Sequence, residues 1–237
     1  MKKLIFVCFC LAVLIVPNVV SAQVPESVRS REAIKRVNPY LTQILRENGF
    51  HSGLPVFIRI YKQSKELEVW LKNSNSFKLF KIYKICTYGF AGLGPKEKQG
   101  DGKAPEGFYR IYPKSLNPSS NYHLAFNLGY PNEYDRSHKR TGSALMIHGD
   151  CVSIGCYAMT DKIIEELYAL ADGAFRNGQK SISVHIYPFR MTNENMNKYN
   201  DSKNINFWRN IKEGHDYFEK EKNPPRVSVI NKKYTFN

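Results

Sequence analysis

The sequence predicts an α+β fold that is mostly β, and three observations lead there. Short segments with an apolar residue at every second position recur between Leu54 and Tyr187, the pattern of half-buried strands. The strongest helical period follows a Gly-Cys dipeptide, with Ile163, Ile164, Leu167, Leu170, Ala171 and Phe175 on one side. A chain of 237 residues is long enough for one well-buried domain with peripheral additions and somewhat long for two.

The N-terminus reads as a secretory leader. Met1-Lys-Lys precedes an apolar run from Leu4 to Val16, and Val20-Ser-Ala-Gln23 offers a small-residue cleavage site after Ala22. The run is short of the roughly 18–20 residues a spanning helix needs, so residues 1–22 are assigned as a signal peptide and no transmembrane anchor is expected in the mature chain. The formal charge of +14 falls by two to +12 as Lys2 and Lys3 leave with the leader. Such a basic exported protein suits an anionic envelope polymer or a membrane surface. Nucleic acid is a poor fit, because no dense Lys/Arg run is interleaved with stacking aromatics.

The elements follow in order. Residues 23–53 read as a polar lead and one short helix, with Asn38 as N-cap, Pro39 at the first helical position and Asn48-Gly49 as the stop. In the main body, 54–190, Val56, Ile58 and Ile60 alternate with Phe57, Arg59 and Tyr61. Leu67, Val69 and Leu71 repeat the period after Gln63-Ser-Lys65, which predicts a hairpin. Phe77–Cys86 is a third strand candidate. A long glycine-rich loop, Gly89–Gly107, reads as a substrate-facing wall or a surface connection. Phe108–Tyr112 and Tyr122–Leu128 are further strands, and a polar loop, Tyr130–Gly142, leads to the strand Ser143–Ile147. Thr160 caps the main helix, Asn177-Gly178 stops it, and Ser181–Tyr187 returns to strand with His185 on its outer face. Residues 191–237 read as a helix around Phe207, Trp208 and Ile211 followed by a hairpin from Arg226 to Phe236, packed on the same domain.

The chemistry concentrates in Ala144–Tyr157, where a strand runs to His148 and Cys156 follows a glycine. A thiol becomes a strong nucleophile as thiolate, and a nearby imidazole is the usual means of producing one near neutral pH. Cys8 and Cys10 leave with the leader, so Cys86, Cys151 and Cys156 remain, an odd number for an exported protein. Cys151 can pair with Cys156; alternatively, Cys86 pairs with Cys151 and leaves Cys156 free. The cysteine also stands shortly before the main helix, whose dipole favours a thiolate if the geometry brings the two together. His51, His123, His138 and His215 lack ligand spacing, so no metal and no cofactor are implied.

Ile147-His-Gly149 followed by Ser153-Ile-Gly-Cys156, with Pro105-Glu-Gly-Phe-Tyr109 upstream, resembles the L,D-transpeptidase (YkuD-type) catalytic domain of bacterial cell-wall enzymes. The longer string His148–Thr160 resembles the YafK-type branch of that family. So do Leu93-Gly-Pro-Lys96, Tyr130–Arg136 and Ile186–Thr192. The resemblance runs from about Pro55 to Val229 and implies a β-sandwich with one main helix after the cysteine. It implies Cys156 as nucleophile, His148 as base, the Gly149 carbonyl as orienter of the imidazole, and the backbone amides of Gly155 and Cys156 as oxyanion donors. The chain departs from the family pattern at Ile154, where a second histidine is usual, and at Ala158, where an arginine is usual. Arg136, Lys103 or Arg190 is then expected to bind the substrate carboxylate. For the YafK-type branch the implied reaction is hydrolysis, in the periplasm, of the diaminopimelate–lysine amide joining outer-membrane lipoprotein to peptidoglycan. A transpeptidase forming 3-3 crosslinks or attaching lipoprotein, and a noncatalytic wall-binding module, are the alternatives.

Overall fold

The computed structural model describes residues 23–237; the signal-peptide assignment, with Cys8 and Cys10, lies outside the described residues. In chain order the elements are α1 (Val28–Glu47), β1 (Val56–Tyr61), β2 (Glu66–Asn73), β3 (Ser76–Lys84), β4 (Thr87–Tyr88), β5 (Gly107–Ile111), β6 (Leu116–Asn117), β7 (Ala125–Asn127), α2 (Glu133–Ser137) and β8 (Met146–His148). They continue with β9 (Tyr157–Ala158), α3 (Asp161–Arg176), β10 (Ile182–Tyr187), α4 (Asn193–Lys198), α5 (Ile205–Glu221), β11 (Val227–Ile230) and β12 (Lys233–Phe236). The fold is α+β and mostly β.

Two five-stranded sheets form the body, ordered β3-β2-β1-β10-β5 and β4-β9-β8-β7-β6. Their inner faces share one core. Val56, Ile58, Ile60, Val184 and Ile186 of the first sheet meet Phe126, Ile147 and Tyr157 of the second, together with residues of α1 and α3. The period-two residues of β1 and β10 point inward as the alternation requires.

The outer face of the first sheet is not solvated. Phe57, Tyr61, Phe108 and Tyr187 are covered by Trp208, Ile211 and Phe218 of α5 and by Tyr234 of the C-terminal hairpin. Strand β1 is therefore buried along its whole length, and His185, expected on an outer face, is 1 % exposed. Alternation identified the face correctly, but not the layer that covers it.

The N-terminal helix is longer than expected. It begins at Val28, with the Ser27 side chain accepting from the Ser30 N–H, and Pro39 lies inside it. Packing explains the difference: Ala33, Val37, Leu41 and Leu45 form one buried stripe against the domain, and tertiary burial outweighs the local cost of proline. Five short elements were also not expected: β4, β6, β9, α2 and α4. The Asn132 side chain caps α2 by accepting from the Asp135 N–H.

Candidate active site

Strands β8 and β9 lie side by side and parallel, with Ile147 opposite Tyr157 and His148 opposite Ala158. Ile147 and Tyr157 point into the core, so alternation turns His148 the other way, and Cys156, just before β9, lies beside Met146, two residues before His148 on β8. The Met146 N–H points at Cys156 Sγ at 3.4 Å, and the thiol lies 3.6 Å from the Ala144 carbonyl. Cys86 and Cys151 are joined by a disulfide, and Cys156 is the free, half-buried thiol.

The imidazole is fixed on two sides. His148 is 2 % exposed; its Nδ1 lies 2.6 Å from the Gly149 carbonyl, and the Tyr122 ring packs against it at 4.6 Å. A carbonyl only accepts, so Nδ1 carries the proton and Nε2 the lone pair. The turn after His148 is tightly built. The Gly149 N–H donates to the Tyr122 and Leu124 carbonyls, the Asp150 N–H donates to Asp161 Oδ1 at 2.8 Å, and Asp150 and Cys151 both have left-handed φ. A Cβ on Gly149 would stand 2.5 Å from Asp161 Oδ1, so a side chain there would push the carboxylate away from the Asp150 N–H it holds.

Burial sets the resting protonation. It pushes the Cys156 thiol above its ordinary value, against the opposing pull of the Met146 N–H and the Lys96 charge. It pushes the His148 imidazole down, against the Gly149 carbonyl and the Asp150 charge. Thiol and imidazole therefore rest as a neutral pair. The helix dipole does not supply a thiolate, because β9 separates Cys156 from α3 and the first turn of that helix is capped by the Thr160 hydroxyl.

The loop carrying the cysteine is braced by Ser153, whose hydroxyl accepts from the Gly155 N–H at 3.0 Å and donates to the Cys156 carbonyl at 2.7 Å. Gly155 N–H is thus engaged. Ile154 is 83 % exposed beside it. The wall opposite is the 89–107 loop: a Cβ on Gly155 would lie 3.4 Å from the Lys103 carbonyl, and Phe90 N–H and Ala91 N–H both donate to the Gly102 carbonyl.

The three cations expected to meet substrate are dispersed. Lys103 lies in the wall, its ammonium on the Leu93 carbonyl. Arg136 donates to the Pro131 carbonyl and lines a separate cavity beyond β7. Arg190 is committed to Glu66 and Glu68 and stacks on Tyr61. The cation whose field reaches Cys156 is Lys96, paired with Asp101 Oδ1 at 2.8 Å. Lys96 and Ser153 stand in the quoted motifs without an assigned role, and Asp161, next to the Thr160 cap, carries only the signal of an acidic residue in a helix's first turn. Tyr122 has no local signal, because its place depends on the pairing of β7 with β8.

Residues 55–174 match the YkuD family, described as the L,D-transpeptidase catalytic domain. The chain is 45 % identical over 224 residues to YafK of Escherichia coli, in strain K12 and in O157:H7, a protein whose name assigns it to the L,D-transpeptidases; the match covers 94 % of this chain and 87 % of the relative. Among solved structures it is similar to the helical cell shape determining protein Pgp2 of Campylobacter jejuni, at 18 % identity and a TM-score of 0.45 over 84 % of this chain and 82 % of that one. Bd1075 of Bdellovibrio bacteriovorus is similar at 23 % identity and a TM-score of 0.40, over 71 % and 62 % of the two chains. The chain belongs to the L,D-transpeptidase catalytic domain family and is a cysteine peptidoglycan-modifying enzyme.

Proposed function

We propose that the protein is a periplasmic amidase that hydrolyses the diaminopimelate–lysine amide linking outer-membrane lipoprotein to peptidoglycan, through an acyl-enzyme on Cys156. The observation that carries the chemistry is the free Cys156 thiol held against β8 at the Met146 N–H, two residues before the buried His148 on that strand. The choice of bond rests on the resemblance to the YafK-type branch in the loops flanking that site.

The steps follow from the geometry. His148 Nε2 accepts the Cys156 thiol proton as sulfur attacks the amide carbonyl carbon. Negative charge develops on the carbonyl oxygen, and the backbone N–H groups of Cys156 and Gly155 are the donors expected for it; Gly155 N–H joins only on leaving Ser153. Collapse breaks the C–N bond, His148 returns its proton to the leaving lysine amine, and a thioester remains. Water then attacks with His148 again taking the proton, and the carboxylate leaves as the thiol re-forms. An amine in place of water gives transpeptidation by the same sequence.

The test is incubation of pure protein with sacculi carrying bound lipoprotein, with products weighed by mass spectrometry. Lipoprotein ending in bare lysine supports the amidase. New diaminopimelate crosslinks with no released lipoprotein overturn it in favour of transfer, and binding without product overturns it in favour of a noncatalytic module.

A further inference from the structure

Residues 118–124 join β6 to β7 without belonging to a strand, and they carry Tyr122, whose ring packs on the His148 imidazole. We propose that Tyr122 is a positioning residue for His148, and that the N-terminal helix holds it there through Arg29 and through the Arg36–Glu165–His123 chain. The orientation of the base then depends on α1, which lies outside the matched residues 55–174. The inference rests on His148 acting as the base of Cys156.

The first argument is the need for such a residue. A histidine base must keep Nε2 directed at the thiol, and its ring turns about two single bonds unless something stops it. In a Ser-His-Asp triad a buried carboxylate does so through a charge-assisted hydrogen bond. In this protein the Gly149 carbonyl takes that place, 2.6 Å from Nδ1, and a neutral acceptor grips more weakly. The Tyr122 ring adds a restraint on the imidazole plane, with centroids 4.6 Å apart and planes inclined by 35°. The same segment also reaches the orienting residue, since the Gly149 N–H donates to the Tyr122 and Leu124 carbonyls.

The second argument is that the segment is held from outside. His123 has a φ of 64°, in the left-handed region that a non-glycine residue enters at a cost. Ser27, the cap of α1, donates to the Pro118 carbonyl at 2.7 Å. Arg29 Nη1 donates to the Ser120 and His123 carbonyls at 2.6 and 2.9 Å, and these two residues flank the Tyr122 position. His123 Nε2 lies 2.8 Å from Glu165 Oε1, and Arg36 grips the same carboxylate through Nε at 3.1 Å and Nη2 at 2.7 Å. Glu165 belongs to α3, so the chain ends in the domain itself. A Cβ on Gly149 would lie 3.1 Å from His123 Cβ, which makes the clamped residue a neighbour of the turn after the base.

The third argument separates positioning from packing. Tyr122 is 45 % exposed, whereas His148 beneath it is 2 % exposed. A ring left half in water gains less from burial than a core ring does. Its loss therefore tells on the imidazole it covers more than on the fold.

The test uses the full mature chain and a soluble muropeptide whose diaminopimelate carries an amide-linked lysine. Tyr122→Ala is expected to lower kcat about 10- to 100-fold, the scale of a misplaced catalytic group, with KM unchanged; Tyr122→Phe, which keeps the ring, recovers most of the loss. Arg29→Ala with Glu165→Ala lowers kcat about tenfold, and Arg29→Ala alone, a change at an exposed side chain, moves it the same way by a smaller factor. Added to Tyr122→Ala, the pair lowers kcat no further, because it acts through the ring. A second readout needs no turnover: the imidazole nitrogen NMR shifts of His148, identified by their absence in His148→Gln. The wild-type protein shows one tautomer with the proton on Nδ1, and Tyr122→Ala and the clamp variants show a mixture. Unaltered shifts in these variants, a loss carried by KM, or additive losses in the combined variant overturns the proposal. Failure of the amidase reading appears instead as muropeptide left intact by the wild-type protein, and the His148 shifts still decide the positioning.

Discussion

Lys62 Nζ lies 2.9 Å from Glu106 Oε1, and both side chains are fully buried. The ammonium also donates to the Gly94 and Ala104 carbonyls, while Glu106 accepts from the Gly94 N–H and from Trp208 Nε1. One ion pair thus ties the end of β1, both limbs of the 89–107 loop and α5 together. Burial pushes the Lys62 ammonium below its usual value and the Glu106 charge pulls it back.

Removing one partner strands the other. Glu106→Gln is expected to cost about 3–5 kcal/mol in urea unfolding, as for other broken buried pairs. The loop that faces Gly155 loosens with it, so activity falls at temperatures where the variant is still folded. A cost under about 1 kcal/mol would show the pair to be dispensable.

Cys156→Ala abolishes turnover, and His148→Gln lowers kcat by about 10²–10⁴, the usual contribution of a positioned base. Because burial pushes His148 down, its neutral form persists below the ordinary histidine value of about 6.5. The acid limb of kcat/KM therefore lies below that pH, with full activity above it and loss as pH falls through the folded value. An acid limb well above 6.5 would contradict the neutral resting pair.

Thiol titration tests the role of Lys96. Alkylation of Cys156 by iodoacetamide is expected to have its midpoint above the ordinary cysteine value, and Lys96→Met moves it higher by withdrawing a positive charge. The variant should fold, since Asp101 keeps backbone donors at Glu97, Lys98 and Lys103. No change in midpoint would remove Lys96 from the electrostatics of the site.

Reduction or Cys151→Ala opens a 65-residue separation, and the chain-entropy relation predicts a loss of about 4 kcal/mol. The Cys156 chemistry persists in the folded fraction, so activity per folded molecule is retained at low temperature. Full loss of activity at unchanged fold would place the disulfide within the catalytic apparatus.

Acid unfolding is expected in two windows. His148, His185 and His215 are all held down by burial, so the unfolded chain binds their protons first and stability falls as pH drops below about 6.5. Against the upward push of burial, Lys96 and backbone N–H groups hold Asp101 down to about 2, and Lys222 and Arg59 do the same for Glu219. Their contributions are present above the ordinary carboxylate value of about 4 and are lost as pH falls toward 2. Urea midpoints from pH 8 to pH 3 check both; a flat profile between 6.5 and 5 would exclude the first.

Local patterns were the legible part. The β1–β2 hairpin, the main helix with its Thr160 cap and the C-terminal hairpin follow from periodicity and turn residues. Relations between distant segments were not legible. Pro39 marks a helix start in isolation, yet the buried stripe from Ala33 to Leu45 carries the helix through it. His148 and Cys156 could be paired by chemistry, whereas the Tyr122 ring and the Asp161 carboxylate reach the site only through strand pairing and the start of α3. Cations were the least legible. Arg190 and Lys96 look alike in sequence, but carboxylates of β2 commit the first to bracing a hairpin, while the second pairs within its own loop and acts on the thiol.

Strand β10 lies between β1 and β5 in the first sheet, yet it begins at Ile182, beyond the family match that ends at 174. A chain cut at the recognisable boundary would split that sheet in two, and a cut at 190 would bare Phe57, Phe108 and His185 to water. The smallest piece that can fold is therefore larger than the piece that can be recognised, and the C-terminal residues belong to the same folding unit as the catalytic pair.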